Sequence, residues 1–266
     1  MAKPLVRDEL WVRIEPLLPP LPPRRFRYPG RKSIPLRQLL CGILFVLKTG
    51  IRWDDLPAEL GWGCGRTCRQ AFAAWHRAGV WRRLHESLLA DLNAAGLLDW
   101  SRALLDSASA RAPRGGEATG PSPVDRRKSG TKHHVITDAG GVPLAVATTG
   151  ANRHDSTQLR PLVEAIPPVR GRRGRPRRRP EAVQGDRAYD SDPHRDWLRL
   201  RGIEPLLARR RTPHGSGLGK TRWFVERTLS WLHGFGRLRR RLDRTLRIHE
   251  GLVSLACAVI CLRLLE

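Results

Sequence analysis

The sequence predicts a mixed α/β fold in which a sheet flanked by helices follows an all-helical N-terminal region. Up to about residue 100, apolar residues recur at the three- and four-residue spacing of amphipathic helices. From residue 101, short apolar runs alternate with amphipathic stretches, which is typical of strands and helices around one sheet. A chain of 266 residues that is 40% hydrophobic can bury one good core and a smaller satellite. We therefore expect two domains, 1–100 and 101–266.

The N-terminal region is predicted to contain four helices, over residues 5–18, 36–47, 67–78 and 81–95. A basic, proline-rich connector follows the first helix, and a turn-rich segment over 50–61 precedes the third. On the third helix Phe72 and Trp75 face inward, and the outward side carries cations and an amide at Arg66, Arg69, Gln70 and Arg77. This outlines a helix-turn-helix-type DNA-binding domain, whose second helix enters the major groove. A three-helix bundle with a basic, solvated face gives the same pattern and stays an alternative.

The C-terminal region is predicted to form a sheet from five strands, at 102–105, 133–137, 144–148, 182–184 and 205–208. Helices are predicted between or after these strands, at 156–166, 193–201 and 220–232. Two tracts rich in Gly, Pro and Arg lie over 113–132 and 170–180, and the second holds seven arginines. We expect both tracts to be mobile loops that contact phosphate, with a solvated surface run as the alternative.

The charge of the chain narrows the class of partner. Lys and Arg total 49 against 25 Asp and Glu, a formal net charge of +24. Such an excess favours nucleic acid, because cations that neutralise phosphates release counterions. Only 6 of the 49 cations are lysine, a bias that GC-rich codon usage produces without any functional demand. The charge excess therefore carries the inference, and the preference for arginine does not.

The same sequence argues against a membrane or secreted protein. No charged leader followed by an apolar core opens the chain, and the most apolar stretch, 252–262, is shorter than the ~20 residues that span a bilayer. We therefore expect a soluble, cytoplasmic protein with no membrane partner. A zinc finger needs two pairs of ligands, and the cysteines do not supply two pairs at zinc-finger spacing. We therefore expect core packing for all five: Cys41, Cys64, Cys68, Cys257 and Cys261.

Three acidic residues are candidates for one metal site. Asp106 and Asp186 end short apolar runs that are predicted strands, and Glu226 lies on a predicted amphipathic helix. Arg222 and Glu226 share a polar stripe of that helix, where an ordinary ion pair between them is the alternative. Two divalent ions ~3.5–4 Å apart can cut a phosphodiester, and Mg²⁺ prefers the oxygen ligands that carboxylates supply. The acids therefore suit metal-dependent phosphodiester chemistry.

Two other polar residues have simpler interpretations. Asp155 precedes a predicted helix and is expected to be its N-cap, not a metal ligand. Lys132 begins a central strand, where contact with a DNA phosphate competes with ordinary strand packing.

Six segments, in order along nearly the whole chain, resemble the DDE transposases of bacterial insertion sequences, specifically the insertion-sequence-five family. They are LDSASARA at 105–112, GPSPVDR at 120–126, GTKHH at 130–134, GANRHD at 150–155, GDRAYDS at 185–191 and RWFVERT at 222–228. WDDLP at 53–57 and AGVW at 78–81 are similar to the N-terminal DNA-binding domain of that family, and IHE at 248–250 is similar to its C-terminal helix.

This resemblance implies an RNase H-like core with Asp106 on the first strand, Asp186 after the fourth and Glu226 on the helix after the fifth. It implies that these three residues are catalytic and hold Mg²⁺, with Mn²⁺ as a substitute. The implied protein binds the terminal inverted repeats of its element, hydrolyses the DNA at the ends, and uses the freed 3′-hydroxyl to attack target DNA. It would act on double-stranded DNA as a homodimer or larger assembly, in a bacterial cytoplasm near the nucleoid.

The chain departs from the signature around the third acid. Arg222 matches the arginine of that signature, for which a phosphate contact is expected, but Gly219 and His233 stand where the broader group has a tyrosine and a lysine. A protonated His233 could still donate to phosphate. A catalytically inactive DNA-binding relic or repressor of transposition is the alternative function, and a structure-selective nuclease of the same fold is a third.

Overall fold

The computed structural model describes residues 4–20, 26–27, 32–211 and 219–266, so most of the predicted proline-rich connector lies outside the described residues. The four predicted N-terminal helices are confirmed as α1 (Asp8–Ile14), α2 (Leu36–Thr49), α3 (Gly65–Arg77) and α4 (Val80–Ala94). Their buried faces are apolar, with Phe72 and Trp75 of α3 among the buried residues as predicted. The helical N-terminal region is thus present.

The connection between α2 and α3 differs from the tight turn of a minimal helix-turn-helix. It spans residues 50–64 and contains two short 3₁₀ turns, Trp53–Asp55 and Ala58–Leu60, whereas the minimal motif joins its helices through about 3–4 residues. Gly50 ends α2 in the left-handed conformation at φ 81°. The longer connection lets the buried Trp53 ring reach the core, where it lies 5.8 Å from the ring of Phe72.

The predicted mixed α/β class is also confirmed, because residues from 103 onward form a six-stranded mixed sheet. The strands are β1 (Ala103–Arg111), β2 (Gly120–Pro121), β3 (Ser129–Asp138), β4 (Pro143–Gly150), β5 (Ala182–Gly185) and β6 (Glu204–Leu207). β1, β5 and β6 run parallel to one another, while β3 pairs antiparallel with both β1 and β4. β1 therefore lies at the centre of the sheet, between β3 and β5.

The first strand is longer than its sequence pattern predicts. The apolar run ends at Leu105, but β1 continues to Arg111 because the small Ser and Ala residues of this stretch pair with β3, from Asp106 opposite Val135 to Arg111 opposite Gly130. Small residues have no strong strand preference of their own, so long-range pairing decides their conformation.

In the part of the chain that the structure describes, five more helices flank this sheet or pack beside it: α5 (Leu159–Ala165), α6 (Asp192–Arg199), α7 (Gly219–Gly234), α8 (Gly236–Arg239) and α9 (Leu246–Leu265). α9 packs against α4, β4 and α3, so the end of the chain completes the core of the N-terminal helices. Cys257 and Cys261 are buried on α9 as predicted, but Cys64 is exposed and the core packing expected for it is wrong.

Among the described residues, α9 alone is long and apolar enough to cross a bilayer by length and composition. Its 20 residues exceed the apolar stretch predicted from the sequence, because Leu246–Gly251 also adopt helix. Within the fold, 72% of the most apolar stretch of α9 is buried, as in a core helix.

A buried ion pair joins the N-terminal helices to the C-terminal segment. Arg237 donates from Nε and Nη2 to the Asp243 carboxylate, both at 3.0 Å, and from Nη1 to the Ile51 carbonyl at 2.9 Å. The Trp53 indole also donates to Asp243, at 3.3 Å. Helices and sheet share one hydrophobic cluster, and the domain division at residue 100 stays a prediction.

The arginine-rich tract over 170–180 is an irregular segment that hydrogen bonds attach to neighbouring residues, and the mobility expected of it stays a prediction. Val169 and Arg177 form an antiparallel bridge with backbone hydrogen bonds of 2.8 and 2.9 Å. Arg178 donates to the carbonyls of Ile166 and Glu164, each at 3.1 Å. The arginines of the tract remain exposed, as a surface that contacts phosphate requires.

Candidate active site

Asp106 is held at the centre of the sheet by the strand that precedes it. Ala103, Leu104 and Leu105 are buried, and the next residue presents a carboxylate that is only 12% exposed. Its Oδ1 atom accepts a hydrogen bond from the Ser107 amide at 2.8 Å. Burial raises the pKa of Asp106, against the opposing effect of the nearby Arg222 guanidinium.

Asp186 is brought beside Asp106 by the parallel pairing of β5 with β1. Leu104 lies opposite Gln184 in this register, so each aspartate follows its paired residue by two positions. Asp186 caps a 3₁₀ turn, and its Oδ1 accepts from the Ala188 amide at 2.8 Å. Its side chain is 31% exposed, so solvent reaches the second acid.

Glu226 reaches the same place from α7. The helix buries Val225, Leu229 and Leu232, and this leaves Glu226, 55% exposed, on the opposite side. The sequence pattern predicted this outward position, although the buried stripe differs from the predicted one, which contained Phe224 and Trp231.

One guanidinium connects the three acids. Arg222 places Nη2 3.4 Å from Oδ2 of Asp106, Nη1 3.4 Å from Oδ2 of Asp186, and Nε 3.0 Å from Oε1 of Glu226. The contact to Glu226 is an ion pair without hydrogen-bond geometry, because Nε has no hydrogen-bond acceptor among the described residues. Although burial alone would lower the pKa of Arg222, the charges of the three carboxylates raise it. Residues from three distant segments therefore converge on one point.

The donor chemistry of this cluster fits a hard divalent ion, since all three side chains end in carboxylate oxygens. In the arrangement described here the guanidinium lies among them, and no group of three His, Cys, Asp or Glu side chains in the described residues is set around a single ion position. One cation facing three carboxylates leaves a net negative charge. Arg222 and a metal ion therefore compete for the same carboxylates.

Tyr189 is a buried neighbour of the acids. It follows Asp186 by three residues, is 1% exposed, and its hydroxyl has no hydrogen-bond partner among the described residues. Burial raises the pKa of Tyr189 well above its usual value, and the charges of Asp155, Asp106 and Asp186 add to this effect. The signal available in the sequence is its position in the GDRAYDS segment, where a large aromatic follows the second acid.

Lys132 lies on the other face of the sheet from Asp106. It pairs with Ser109 in the register, and its ammonium donates to Oδ1 of Asp155 at 3.0 Å and to the Arg153 carbonyl at 2.9 Å. Ser107 also donates to Asp155, at 2.8 Å. Asp155 is thus the partner of Lys132; the N-cap role expected for it is wrong, because the His154 side chain accepts the capping bond from Ser156.

His233 belongs to a chain of three imidazoles that is largely buried. Its Nε2 lies 3.1 Å from Nδ1 of His133, whose Nε2 lies 2.8 Å from Nε2 of His249. Burial lowers the pKa of each of the three, for His133 to about 3. This position disfavours the protonated phosphate donor expected at His233.

The predicted DNA-reading residues of α3 are all exposed. Arg66, Arg69 and Gln70 line an open cleft of about 530 Å³ together with Asp54, Ala73, Thr245, Arg247 and Ile248. Arg77 lies at the last turn of α3, outside the residues that line this cleft. The start of α9 forms the second wall of the cleft. The sequence around α3 alone could not predict this wall.

Comparisons with known proteins identify the family of the chain. A family model described as "Transposase DDE domain" matches residues 101–261, and one described as "Putative transposase of IS4/5 family" matches residues 6–85. Domains of the first kind generally depend on a divalent metal ion.

The chain is 59% identical over 143 residues to the "Putative transposase for insertion sequence element IS402" of Burkholderia cepacia, a match covering 54% of this chain and 68% of that protein. It is 28% identical over 153 residues to the transposase for insertion sequence element IS1106 of Neisseria meningitidis serogroup B, covering 52% of this chain and 47% of that protein. A crystal structure of a pre-cleavage Mos1 transpososome aligns at 12% identity over 88% of this chain and 81% of that chain, with a TM-score of 0.27 that is too low to bear on the fold. The family models and the IS402 relative carry the assignment, and the chain belongs to the insertion-sequence transposases with a DDE domain.

Proposed function

We propose that this transposase binds the terminal inverted repeats of its own element and carries out metal-dependent DNA strand cleavage and strand transfer. One observation carries the proposal, namely that Asp106, Asp186 and Glu226 converge within 3.4 Å of a single guanidinium. The mixed sheet that holds them supports the RNase H-like assignment of the core. Three hard ligands in a chain of net charge +24 suit a phosphodiester substrate.

Each residue of the cluster has a distinct role in this proposal. Asp106 and Asp186, fixed by hydrogen bonds to neighbouring amides, and Glu226 would hold Mg²⁺, or Mn²⁺ as a substitute. When bound, such ions activate the attacking water or 3′-hydroxyl and stabilise the charge that develops on the phosphate. Arg222 sits among the acids and, once displaced from them, is placed to contact a phosphate of the substrate.

The proposed partner is double-stranded DNA, both element ends and target. Arg66, Arg69, Gln70 and Arg77 of the exposed α3 surface would contact the element ends. Lys132 and His233 are bound to Asp155 and His133, so Arg222 is the better candidate for phosphate contact near the acids. Bringing two ends together requires at least a dimer, and we propose that this assembly acts in the bacterial cytoplasm, at the nucleoid.

The proposal is tested by removing each acid in turn. Asp106→Asn, Asp186→Asn and Glu226→Gln keep the size of the side chain but remove the charge, and each is expected to abolish cleavage of labelled element-end DNA in Mg²⁺ while leaving end binding intact. Asp196→Asn is the control, because Asp196 is an exposed acid of α6 that pairs with Arg199 and contacts none of the three acids or Arg222 in the described ion pairs. Cleavage that is equally active in all three acid variants would sink the catalytic assignment.

The wild-type protein distinguishes the other functions. End binding without cleavage in Mg²⁺ or Mn²⁺ would favour the DNA-binding relic or repressor. Cleavage that needs no inverted repeat and yields no joined strands would favour a nuclease of the same fold.

A further inference from the structure

The open cleft between α3 and α9 is lined by three arginines and one acidic residue, Asp54. Arg66 and Arg69 line one wall and Arg247 the other, and all three are exposed. Within the described ranges of the chain, none of the three pairs with a carboxylate. Like charges gathered around one cleft repel one another, and an anion placed between them removes that repulsion.

The shape of the cleft follows from where the two helices cross. A side-chain carbon added at Gly251 of α9 would lie 2.8 Å from the Phe72 ring and 3.0 Å from His76 Nδ1, so the backbone of α9 touches α3 at this point. One turn earlier on α9 stands Arg247, and one turn earlier than Phe72 on α3 stands Arg69. The two arginines therefore flank the space that opens as the helices diverge from the crossing.

This geometry is held by contacts on both sides of the start of α9. Upstream, Asp243 is fixed by the buried Arg237 and Trp53 side chains. At the first turn, the Glu117 carboxylate accepts from the Leu246 amide at 2.8 Å. The helix end is already capped by Glu117, so the binding capacity of the cleft rests on its arginines.

The spacing suits a DNA backbone beside a helix that lies in the major groove. The groove is about 12 Å wide, and a helix about 10 Å in diameter fills it. The phosphates that edge the groove then run along the sides of the inserted helix, where a second helix packed about 8–10 Å away meets them. In this fold the start of α9 lines the same cleft as Arg66 and Arg69 of α3.

We propose that Arg247 and Thr245 form a DNA backbone clamp, which holds a phosphate of the strand that flanks the groove read by α3. The inference rests on the proposed function, because it takes α3 as the DNA-reading helix. It adds a division of labour inside one cleft: Arg69 and Gln70 contact base edges, while Arg247 donates to phosphate and Thr245 supplies a hydroxyl beside it. The clamp joins the C-terminal helix to the DNA contacts of the N-terminal region.

The test compares Arg247→Gln with Arg263→Gln, an exposed arginine about 24 Å further along the same helix. The probes are labelled duplexes from the DNA that flanks the gene on each side and an unrelated duplex of equal length, titrated from 50 to 200 mM NaCl. Arg247→Gln is expected to weaken binding to all duplexes by about tenfold. It is also expected to lower the salt slope, the steepness with which the logarithm of the binding constant falls with the logarithm of the salt concentration, by about one unit. Arg247→Lys is expected to keep the slope, and Arg263→Gln to match wild type.

The outcomes separate this inference from the proposed function. The clamp would be overturned if Arg247→Gln and Arg263→Gln bound DNA with the same affinity and the same salt dependence. This holds even if Arg69→Gln loses the preference for flanking DNA. Loss of sequence preference in Arg247→Gln with an unchanged slope would overturn it as well, because a phosphate contact carries no sequence information. A wild-type protein that binds neither kind of duplex would contradict the proposed function and the clamp with it. Thermal melting of each variant shows that a loss of binding is not a loss of folding.

Discussion

At the scale of single residues, Arg222 determines the state of the acidic cluster. Its guanidinium lies within 3.4 Å of Asp106 and Asp186 and 3.0 Å from Glu226, where it balances part of their charge. A divalent ion must displace this cation before it can use the same oxygens. We therefore expect Arg222 to hold the carboxylates together without metal and to oppose metal binding.

Replacing Arg222 tests this competition. Arg222→Gln removes the positive charge, so Mn²⁺ is expected to bind the free protein more tightly, by about tenfold, because the ion no longer competes with a cation. Isothermal titration calorimetry without DNA measures the affinity, and Arg199→Gln, an exposed arginine paired with Asp196, is the control. Unchanged or weaker Mn²⁺ binding by Arg222→Gln would show that the guanidinium does not occupy the metal position.

The buried histidines make the stability of the fold depend on pH. Burial lowers the pKa of His133 to about 3 and of His134 to about 4. Both side chains take up protons more readily in the unfolded chain than in the folded protein. The free energy of unfolding is therefore highest above pH 6.5 and falls as the pH drops below that value. Asp138 acts in the opposite direction, because burial raises its pKa to about 6 and its protonation favours the folded state.

The free energy of unfolding is therefore expected to fall between pH 7.5 and 5.5, with about 1 kcal/mol arising from each buried histidine. His133 faces His233, His249 and Arg241, a wholly basic surrounding, so His133→Gln should flatten the pH dependence. Urea denaturation at both pH values measures it. A fall in stability as steep in His133→Gln as in wild type would assign the effect to other groups.

At the scale of elements, close backbone contacts set the position of α3. A side-chain carbon on Gly65 would lie 1.5 Å from the Trp53 carbonyl oxygen, so the first turn of α3 rests directly on the 3₁₀ turn before it. No side-chain rotation can relieve that overlap. Only glycine at the start of α3 allows this helix to take its place.

Gly65→Ala is consequently expected to destabilise the fold by about 1–3 kcal/mol, as overpacking does in well-packed sites. Gly234→Ala is the matched control, because a side-chain carbon there has open space within 4 Å. Thermal and urea unfolding compare the two variants. Equal stability would contradict the close approach of α3 to Trp53.

The elements also show which parts of the fold the sequence could predict. α2, α4 and the strand before Asp186 have strong local patterns, and they were predicted to within a few residues of their observed bounds. The second half of β1 was missed, since its Ser and Ala residues carry no apolar pattern and pair with β3 from far away in the chain.

The candidate site was predictable where local patterns coincided with family motifs. Asp106, Asp186 and Glu226 were identified in this way, and the structure brings them together. The burial of Tyr189 beside the acids and the α9 wall of the cleft could not be predicted, because both arise only from tertiary packing.

At the scale of the whole molecule, the positive charge is divided between separate surfaces. The arginine-rich tract leads into β5 at Ala182, whereas Asp186 follows the other end of that strand. Four strand residues span about 13 Å, so the tract and the acids lie at opposite ends of β5. We therefore expect the tract to contact a different stretch of DNA from the one at the acids.

Removing the charge of this tract should weaken every DNA complex equally. Arg173, Arg175 and Arg179 are exposed, and their joint replacement by Gln is expected to lower the salt slope by about 2–3 units without changing the preference for element ends. Arg69→Gln should do the reverse. Fluorescence anisotropy over 50–200 mM NaCl measures both; a tract variant that alone loses end preference would refute this division.

The central claim is that the three acids around Arg222 form a working strand-transfer site. The most direct measurement incubates the purified protein with labelled element-end DNA and target DNA in Mg²⁺ or Mn²⁺, wild type beside Glu226→Gln, and resolves cleaved and joined strands separately. The account predicts joined products in the wild type that vanish in Glu226→Gln, while both proteins bind the ends. End binding with no metal-dependent cleavage or joining in either protein would contradict it.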